Sequence, residues 1–263
     1  MIAILFPNIN PVAFRIFNFD IYWYSFAYIF GVAIGYVLLK YLNAKEKNIF
    51  SEKALDDLIF FIVIGIIVGA RLGSVLFFDY EKLIERPLMI FEIRKGGLSF
   101  HGGVLGVIVA IYFLCRKHKM KFFAASDLIA CVTPIGLFLG RIANFVNGEL
   151  WGRVTDVPWG VVFPHAGMLP RHPSQIYEAA LEGILLFVIL MYFHSKPNWR
   201  RNPGRLSGAF LFFYGCFRFA VEFVREPDYP GYVLNIVTVA QLLCVPMIGF
   251  GVYLMFRKPV DRS

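Results

Sequence analysis

The chain has 263 residues, of which 58% are hydrophobic and only 17% charged, and its mean hydropathy is +0.64. Soluble globular domains carry about 25% charged residues, so an ordinary soluble domain is excluded. The net charge of +8 and pI near 9.3 would suit a nucleic-acid binder, but the cations are spread over several short segments, which argues against nucleic acid and for a bilayer with anionic headgroups.

Residues 1–17 are apolar, carry no basic run before Arg15 and contain Pro7 and Pro11. That pattern argues against a cleaved signal peptide and for an amphipathic arm on the outer surface. A spanning helix needs roughly 17–25 mostly apolar residues. Windows at 20–39, 58–78, 98–114, 124–146, 174–193, 206–224 and 233–256 satisfy this. The third is short and opens with Leu98-Ser99-Phe100-His101-Gly102-Gly103, which also suits a tilted or re-entrant piece.

Basic residues are retained on the cytoplasmic side. They collect in alternate connections: Lys40, Lys45, Lys47 and Lys53; Arg116, Lys117, Lys119 and Lys121; Lys196, Arg200, Arg201 and Arg205; and the tail with Arg257, Lys258 and Arg262. Fewer fall in the other connections, which hold Arg15, Lys82, Arg86, Arg94, Lys95, Arg153, Arg171 and Arg225. The expectation is an all-α integral membrane protein of seven transmembrane helices, with the N-terminus periplasmic or outside and the C-terminus cytoplasmic. It forms one integral domain, 1–263, with small outer head elements at about 1–19 and 147–173.

Cys115, Cys131, Cys216 and Cys244 sit in or at the edge of apolar windows without any CxxC spacing. They read as small hydrophobes. No disulfide framework, metal site or cofactor is indicated. His118 lies among lysines and arginines and reads as part of a solvated face; His172, just before Pro173, reads as a helix cap or headgroup contact.

The costly polar residues lie on one side. With the expected orientation Arg71, Arg141, Asn144, Arg218 and Glu222 fall in the outer parts of spans two, four and six. Tyr24, His101, Gln175, Tyr177 and Glu178 lie near the outer ends of spans one, three and five. Intramembrane polar residues mark functional sites. A transporter needs polar lining on both sides of a midplane site, so the bare inner half favours a surface-facing enzyme or a lipid-binding site. Arginine forks match phosphate oxygens, and Arg71, Arg141, Arg153 and Arg218 fit an anionic phospholipid head. Arg218, Glu222 and Arg225, four and three apart, share a helical face; an ion-pair ladder and a substrate contact both suit Glu222 and Arg225. His101 could accept a proton at neutral pH, although a lone histidine among glycines more often makes helix-packing hydrogen bonds. An intramembrane protease is disfavoured, because the spans carry no Ser/His, paired-Asp or zinc-ligand motif.

The run Gly140-Arg141-Ile142-Ala143-Asn144-Phe145-Val146-Asn147-Gly148-Glu149-Leu150-Trp151-Gly152-Arg153 closely resembles the signature of bacterial prolipoprotein diacylglyceryl transferases. Ser99-Phe100-His101-Gly102-Gly103, Arg171-His172-Pro173-Ser174-Gln175-Ile176-Tyr177-Glu178 and the segment from Arg218 through Glu222 and Arg225 to Asp228 resemble further motifs of that family, in family order. The resemblance covers nearly the whole chain. It implies a plasma-membrane enzyme that moves the diacylglyceryl group of phosphatidylglycerol to the lipobox cysteine of a preprolipoprotein, with its active site toward the outer leaflet. It further implies His101 as candidate base, with an arginine-bound water as the alternative proton acceptor, and Arg141 and Arg218 as the phosphate clamp. Asn144, Asn147, Glu149 and Arg153 would shape the headgroup pocket, with Tyr24 and Glu222 as positioning partners and Arg71, Gln175, Tyr177 and Arg225 as further binding residues. Two departures stand out: Tyr22-Trp23-Tyr24-Ser25 replaces the expected Trp-Tyr-Gly, and the connection from Arg153 to Arg171 is shorter than in some relatives.

Overall fold

A computed structural model describes residues 4–257 apart from 8, 18, 47, 79, 93–98, 228–231 and 234–236, and only the backbone at 77, 78, 80–82, 100, 101, 232 and 233. The side chain of His101, and Lys47, Arg94, Lys95, Asp228, Lys258 and Arg262, therefore lie outside the described residues.

Among the described residues five helices are long and apolar enough to cross a membrane: α1 (Trp23–Lys45), α2 (Glu52–Phe78, apolar to Leu76), α4 (Phe122–Val146), α5 (Ser174–Ser195) and α7 (Val239–Phe256). The windows at 98–114 and 206–224 also fold as helices, α3 (Phe100–Lys117) and α6 (Arg205–Val221), of 18 and 17 residues. The protein is thus a predominantly helical, multi-pass membrane protein.

Some windows extend as helices beyond their expected bounds, as α1 does to Lys45 and α2 back to Glu52, while the start of the first window, the end of the sixth and the start of the seventh fall short, each for a local reason. The first window begins at 20, yet helix α1 starts at Trp23, because residues 19–22 form a strand. In the hairpin of β2 (Val12–Ile16) and β3 (Phe19–Tyr22), Arg15 lies opposite Asp20. Their side chains form an ion pair, with Nη2 to Oδ2 at 3.1 Å, and the guanidinium holds the Asp20 carboxyl below its ordinary range. Helix α6 stops at Val221 rather than 224, and Arg225 enters an antiparallel bridge with Gly152. Helix α7 begins at Val239 rather than 233, after the small pairing of β5 (Tyr232–Val233) with β6 (Val237–Thr238). Its start is set by a capping box, in which Thr238 Oγ1 accepts from Gln241 N and Gln241 Oε1 accepts from Thr238 N.

The chain divides into two compact units, one made of Met1–Leu42 and Asp127–Ser263, the other of Asn43–Ser126. In the second unit α2 and α3 associate through glycine. Gly65, Gly69 and Gly73 recur every fourth residue on α2 and meet Gly102 and Gly106 of α3 backbone to backbone, the small-xxx-small pattern by which membrane helices approach closely. A Cβ at Gly65 would lie 2.7 Å from the Gly106 carbonyl oxygen, and one at Gly73 2.6 Å from Gly102 Cα. The glycines beside His101 thus serve a neighbouring helix. Ser99 caps α3 by accepting from Gly102 N, and its own N–H donates to Ala70 O of α2. His118 is not solvated: its Nε2 lies 2.6 Å from Asp57 Oδ2, to which Lys117 Nζ also comes within 2.7 Å.

In the first unit the segments expected as head elements, 1–19 and 147–173, contain strands and no helix among the described residues. Strand β1 (Ile4–Leu5) pairs in parallel with β4 (Val161–Val162). Helix α6 lacks a capping side chain of its own, since Gly204, at φ +99°, precedes it. Asp127 of α4 supplies the cap from another helix, accepting from Gly204 N and Ser207 N, each at 2.7 Å, and from Ser207 Oγ. Helices α6 and α7 then meet at Gly208 and Gly251. Cys115, Cys131, Cys216 and Cys244 are all free thiols.

Replacing Gly65 by leucine should force α2 and α3 apart and cost about 1–3 kcal/mol, as overpacking does. Gly35→Leu, where a Cβ meets nothing within 4 Å, should be near neutral. Thermal unfolding of both variants in detergent checks this.

Candidate active site

Three helices and the head of the first unit converge on a buried ionic network. Arg141 lies in the last turns of α4, Glu178 and Glu182 on α5, and Arg218 and Glu222 at the C-terminal end of α6. Helix α5 is not regular there: residues Ala179–Leu185 form a π-helical stretch, a feature frequent at functional sites. Gly183, within it, packs directly on Phe138 of α4, with no room for a Cβ.

Glu178 is the hub. Its Oε2 lies 2.6 Å from Arg141 Nε, and its Oε1 lies 3.2 Å from Arg225 Nε and 3.8 Å from Arg218 Nη1. Glu222 Oε2 holds Arg218 Nη2 at 2.8 Å, and Glu182 Oε2 lies 3.4 Å from Arg141 Nη2. The three carboxylates are 0–2% exposed, whereas the side chains of Arg141 and Arg218 keep 16% and 12%. Burial is thus almost complete for the anions and slightly less so for these two cations, although Arg218 Nη1 is itself buried.

The head is stitched to this network by main-chain bonds. Gly152 N donates to His172 O and Arg153 N to Val224 O. A Cβ on Gly152 would lie 2.5 Å from Val224 O and 2.7 Å from His172 O, so only glycine fits between them. Arg153 turns its side chain inward, donating from Nε to Arg225 O at 2.9 Å and from Nη2 to Glu222 O at 3.4 Å. Arg171 Nη1 donates to Gly152 O and meets Glu226 Oε2 at 3.0 Å.

A second cluster surrounds Glu149. Asn144 Nδ2 and Asn147 Nδ2 both donate to its Oε1, at 2.9 and 3.2 Å, and the fully buried Gln175 donates from Nε2 to its backbone carbonyl. Asn147 and Glu149 line an open cleft of about 390 Å³ together with Tyr22, Tyr24 and Ser25. Tyr24 Oη accepts from Tyr28 Oη at 3.2 Å. Near the head, Tyr177 Oη accepts from Trp159 Nε1 at 2.7 Å and lies 3.1 Å from His172 Nδ1. His172 is thus no helix cap; the cap position is Pro173. Burial holds the His172 imidazole below its usual range.

The expected site residues thus fall into groups. Arg141, Arg218, Glu222, Arg225 and Arg153 form or touch the ionic network. Tyr24, Asn144, Asn147, Glu149 and Gln175 form or adjoin the cleft, and Tyr177 pairs with His172. Arg71 and His101 belong to the other unit. There Arg71 is buried and donates to the carbonyls of Met89 and Ile90, which close a short 3₁₀ turn. Arg225 lies beyond the helix rather than on its face. Sequence reasoning misses two members as site residues: Glu178, noted there for its depth and as the end of a family-like motif but given no role, and Glu182, which sits in the apolar run Ala179-Ala180-Leu181-Glu182-Gly183-Ile184. A carboxylate inside such a run is the available signal.

Comparison with known proteins bears on the same residues. Residues 11–257 match the family described as prolipoprotein diacylglyceryl transferase. The chain belongs to that family. It is 48% identical over 254 residues to the phosphatidylglycerol–prolipoprotein diacylglyceryl transferase of Rickettsia felis, covering 96% of this chain and 98% of the relative. It is 45% identical over 263 residues, 98% of each chain, to the transferase of the same name from Methylococcus capsulatus. The family match takes in both the ionic network and the cleft of this transferase.

Removing the hub should be costly. Glu178→Ala leaves three guanidiniums without their shared counter-ion, and breaking a buried pair in this way costs about 3–5 kcal/mol. A fall in the thermal midpoint of the purified variant, larger than for Glu226→Ala at the exposed rim, is the expected result.

Proposed function

We propose that Arg141 and Arg218 form the clamp that takes the phosphate of phosphatidylglycerol in this enzyme. The protein is a prolipoprotein diacylglyceryl transferase. Its reaction moves the sn-1,2-diacylglyceryl group of phosphatidylglycerol to the lipobox cysteine thiol of a preprolipoprotein. The thiol sulfur attacks the glyceryl carbon that bears the phosphate, a thioether forms, and the carbon–oxygen bond breaks with its electron pair leaving on glycerol phosphate. This is the first step of lipoprotein maturation in the bacterial inner membrane.

The observation that carries the clamp is a difference in burial: two arginine side chains that keep some exposure, paired with carboxylates that keep almost none. Charge grows on the departing phosphate in the transition state, and donors fixed beforehand in a dry site stabilise it without reorganising. A guanidinium presents two parallel N–H donors to two phosphate oxygens, and the glutamates behind fix its plane. The cleft of Tyr24, Asn147 and Glu149 suits the polyhydroxyl glycerol head, with Asn144 and Gln175 holding Glu149 in place. Arg153, Glu222 and Arg225 position the clamp, Tyr177 steadies the start of α5, and Arg71 supports a headgroup-level turn.

A thiol of pKa about 8.5 attacks well only as thiolate, so the reaction needs a proton acceptor; His101 is assigned that part, with no metal or cofactor required. The acceptor cysteine belongs to the preprolipoprotein. The apolar helices, together with α3 and α6, support seven crossings. The basic connections support a cytoplasmic C-terminus, an outer N-terminus and a site facing the outer leaflet. The family match through both units supports reading 1–263 as one transferase domain.

The test incubates purified protein with phosphatidylglycerol micelles and a lipobox peptide, reading peptide mass and released glycerol phosphate. Wild type should add one diacylglyceryl group per peptide. Arg141→Ala should lose about 10²–10³-fold in rate, as removal of a transition-state donor does, and His101→Gln about 10²–10⁴-fold, as loss of a general base does. Lipid binding without any adduct in the wild type would instead make the protein a lipid-binding one.

A further inference from the structure

Three guanidiniums, those of Arg141, Arg218 and Arg225, face three carboxylates, those of Glu178, Glu182 and Glu222, in one buried cluster. Beside it Arg153 and Glu149 add one charge of each sign. With every group ionised the assembly is neutral. A phosphodiester monoanion entering it brings one negative charge that nothing there compensates. In a medium of low dielectric such a charge is relieved most readily when a nearby group takes up a proton.

The three carboxylates are not equally placed to accept it. Glu178 is held by three guanidiniums and Glu222 by a 2.8 Å contact. Glu182 has one long contact, 3.4 Å from Oε2 to Arg141 Nη2. Its fully buried Oε1 has no hydrogen-bond partner among the described residues, as is true of both Glu178 oxygens and of Glu222 Oε2, but those three lie in ion pairs at 2.6, 3.2 and 2.8 Å while Glu182 Oε1 lies in none. The charged and titratable groups acting on it are Arg141 from α4, Tyr214 and Arg218 from α6, Cys244 from α7 and Glu178 on its own helix. It is the least secured anion of the cluster, and it touches the arginine assigned to the phosphate.

We infer that Glu182 is the proton-carrying group of this site, neutral whenever a phosphate ester occupies the arginine clamp. Protonation removes its competition for Arg141 Nη2 and leaves that fork to the phosphate. The step is a proton transfer alone: hydronium or a buffer acid in the solvent gives up its proton, a carboxyl O–H bond forms on Glu182, and the transfer reverses when the site empties. Glu182 touches Arg141 and not the substrate, so it is a positioning residue. The inference rests on the phosphate-clamp reading above.

The ligand chemistry is an anionic phosphate ester, and two ligands separate its sources: phosphatidylglycerol in mixed micelles and dimethyl phosphate, a soluble phosphodiester that stays a monoanion throughout the neutral range. Affinity of the full-length protein for each is measured across the neutral pH range. Because the neutral carboxyl favours the anion, wild-type affinity should fall as pH rises, approaching tenfold per unit once Glu182 is ionised in the empty site. Glu182→Gln, permanently neutral and nearly isosteric, should bind at least as tightly with that slope removed. The wild-type infrared difference spectrum on lipid addition should contain the carbonyl stretch of a protonated buried carboxyl, absent in Glu182→Gln. The slope with lipid alone assigns recognition to the whole headgroup; the slope with both ligands assigns it to the phosphate. A slope that persists in Glu182→Gln, a variant that binds more weakly at every pH, or a wild-type spectrum without the carboxyl band would each overturn the role of Glu182 while leaving the clamp standing. No binding of either ligand by the wild type would overturn the clamp, and this inference with it.

Discussion

The contact between Glu178 and its three arginines is the constraint around which the first unit is arranged. Each ion alone would be prohibitive in an apolar interior, since even after relaxation the penalty is several kcal/mol per charge. The groups are therefore admissible only together, which obliges α4, α5 and α6 to bring Arg141, Glu178 and Arg218 into register. The irregular stretch of α5 and the glycine at 183 against Phe138 are the local means by which helix α5 gets close enough. At the far end of α6, the Asp127 cap satisfies the first-turn N–H groups and fixes the helix that carries Arg218.

The head extends the same constraint beyond the helices. Arg225 reaches Glu178 only because the chain after α6 is pinned at Gly152 by a bridge. Arg153, the next residue, points back at the carbonyls of Glu222 and Arg225. Two kinds of signature residue therefore play different physical parts, with glycine where two carbonyls leave no volume and arginine where carbonyls must be satisfied under burial. In this chain Arg153 is bound up with positioning more than with an open anion site, and Arg71 is similarly committed to the carbonyls of Met89 and Ile90.

Much of this is legible in the amino-acid sequence, because a bilayer constrains composition strongly. Each apolar window folds as a helix, and most of the polar residues singled out for their cost in such windows are at the network or the cleft. Window edges are less legible. Residues 20–22 and 233–238 are nearly as apolar as a helix start, and only the strand pairing of Asp20 with Arg15 and the Thr238–Gln241 cap separates them from one. His118 reads as solvated because a charge-rich neighbourhood in sequence hides its partner, Asp57, sixty-one residues away. Glu182 escapes notice because a single carboxylate in an apolar run has meaning only once Arg141, forty-one residues earlier, is known to face it.

The two units answer one problem in different ways. Within lipid, apolar surfaces gain little by meeting each other, so helices associate through close backbone packing or through polar contacts. The second unit uses the first means, with α2 and α3 in contact at Gly65, Gly69, Gly73, Gly102 and Gly106. The first unit uses the second means, along with a glycine contact at Gly208 and Gly251. The choice bears on where binding can occur. A glycine seam offers a ligand nothing to exchange for, since its contacts are backbone on backbone. An ion-pair network can trade a carboxylate for a phosphate at one guanidinium while the others stay paired, which keeps the helices joined during binding. The residues that hold the first unit together are, for that reason, also ones that can exchange a partner without releasing the helices.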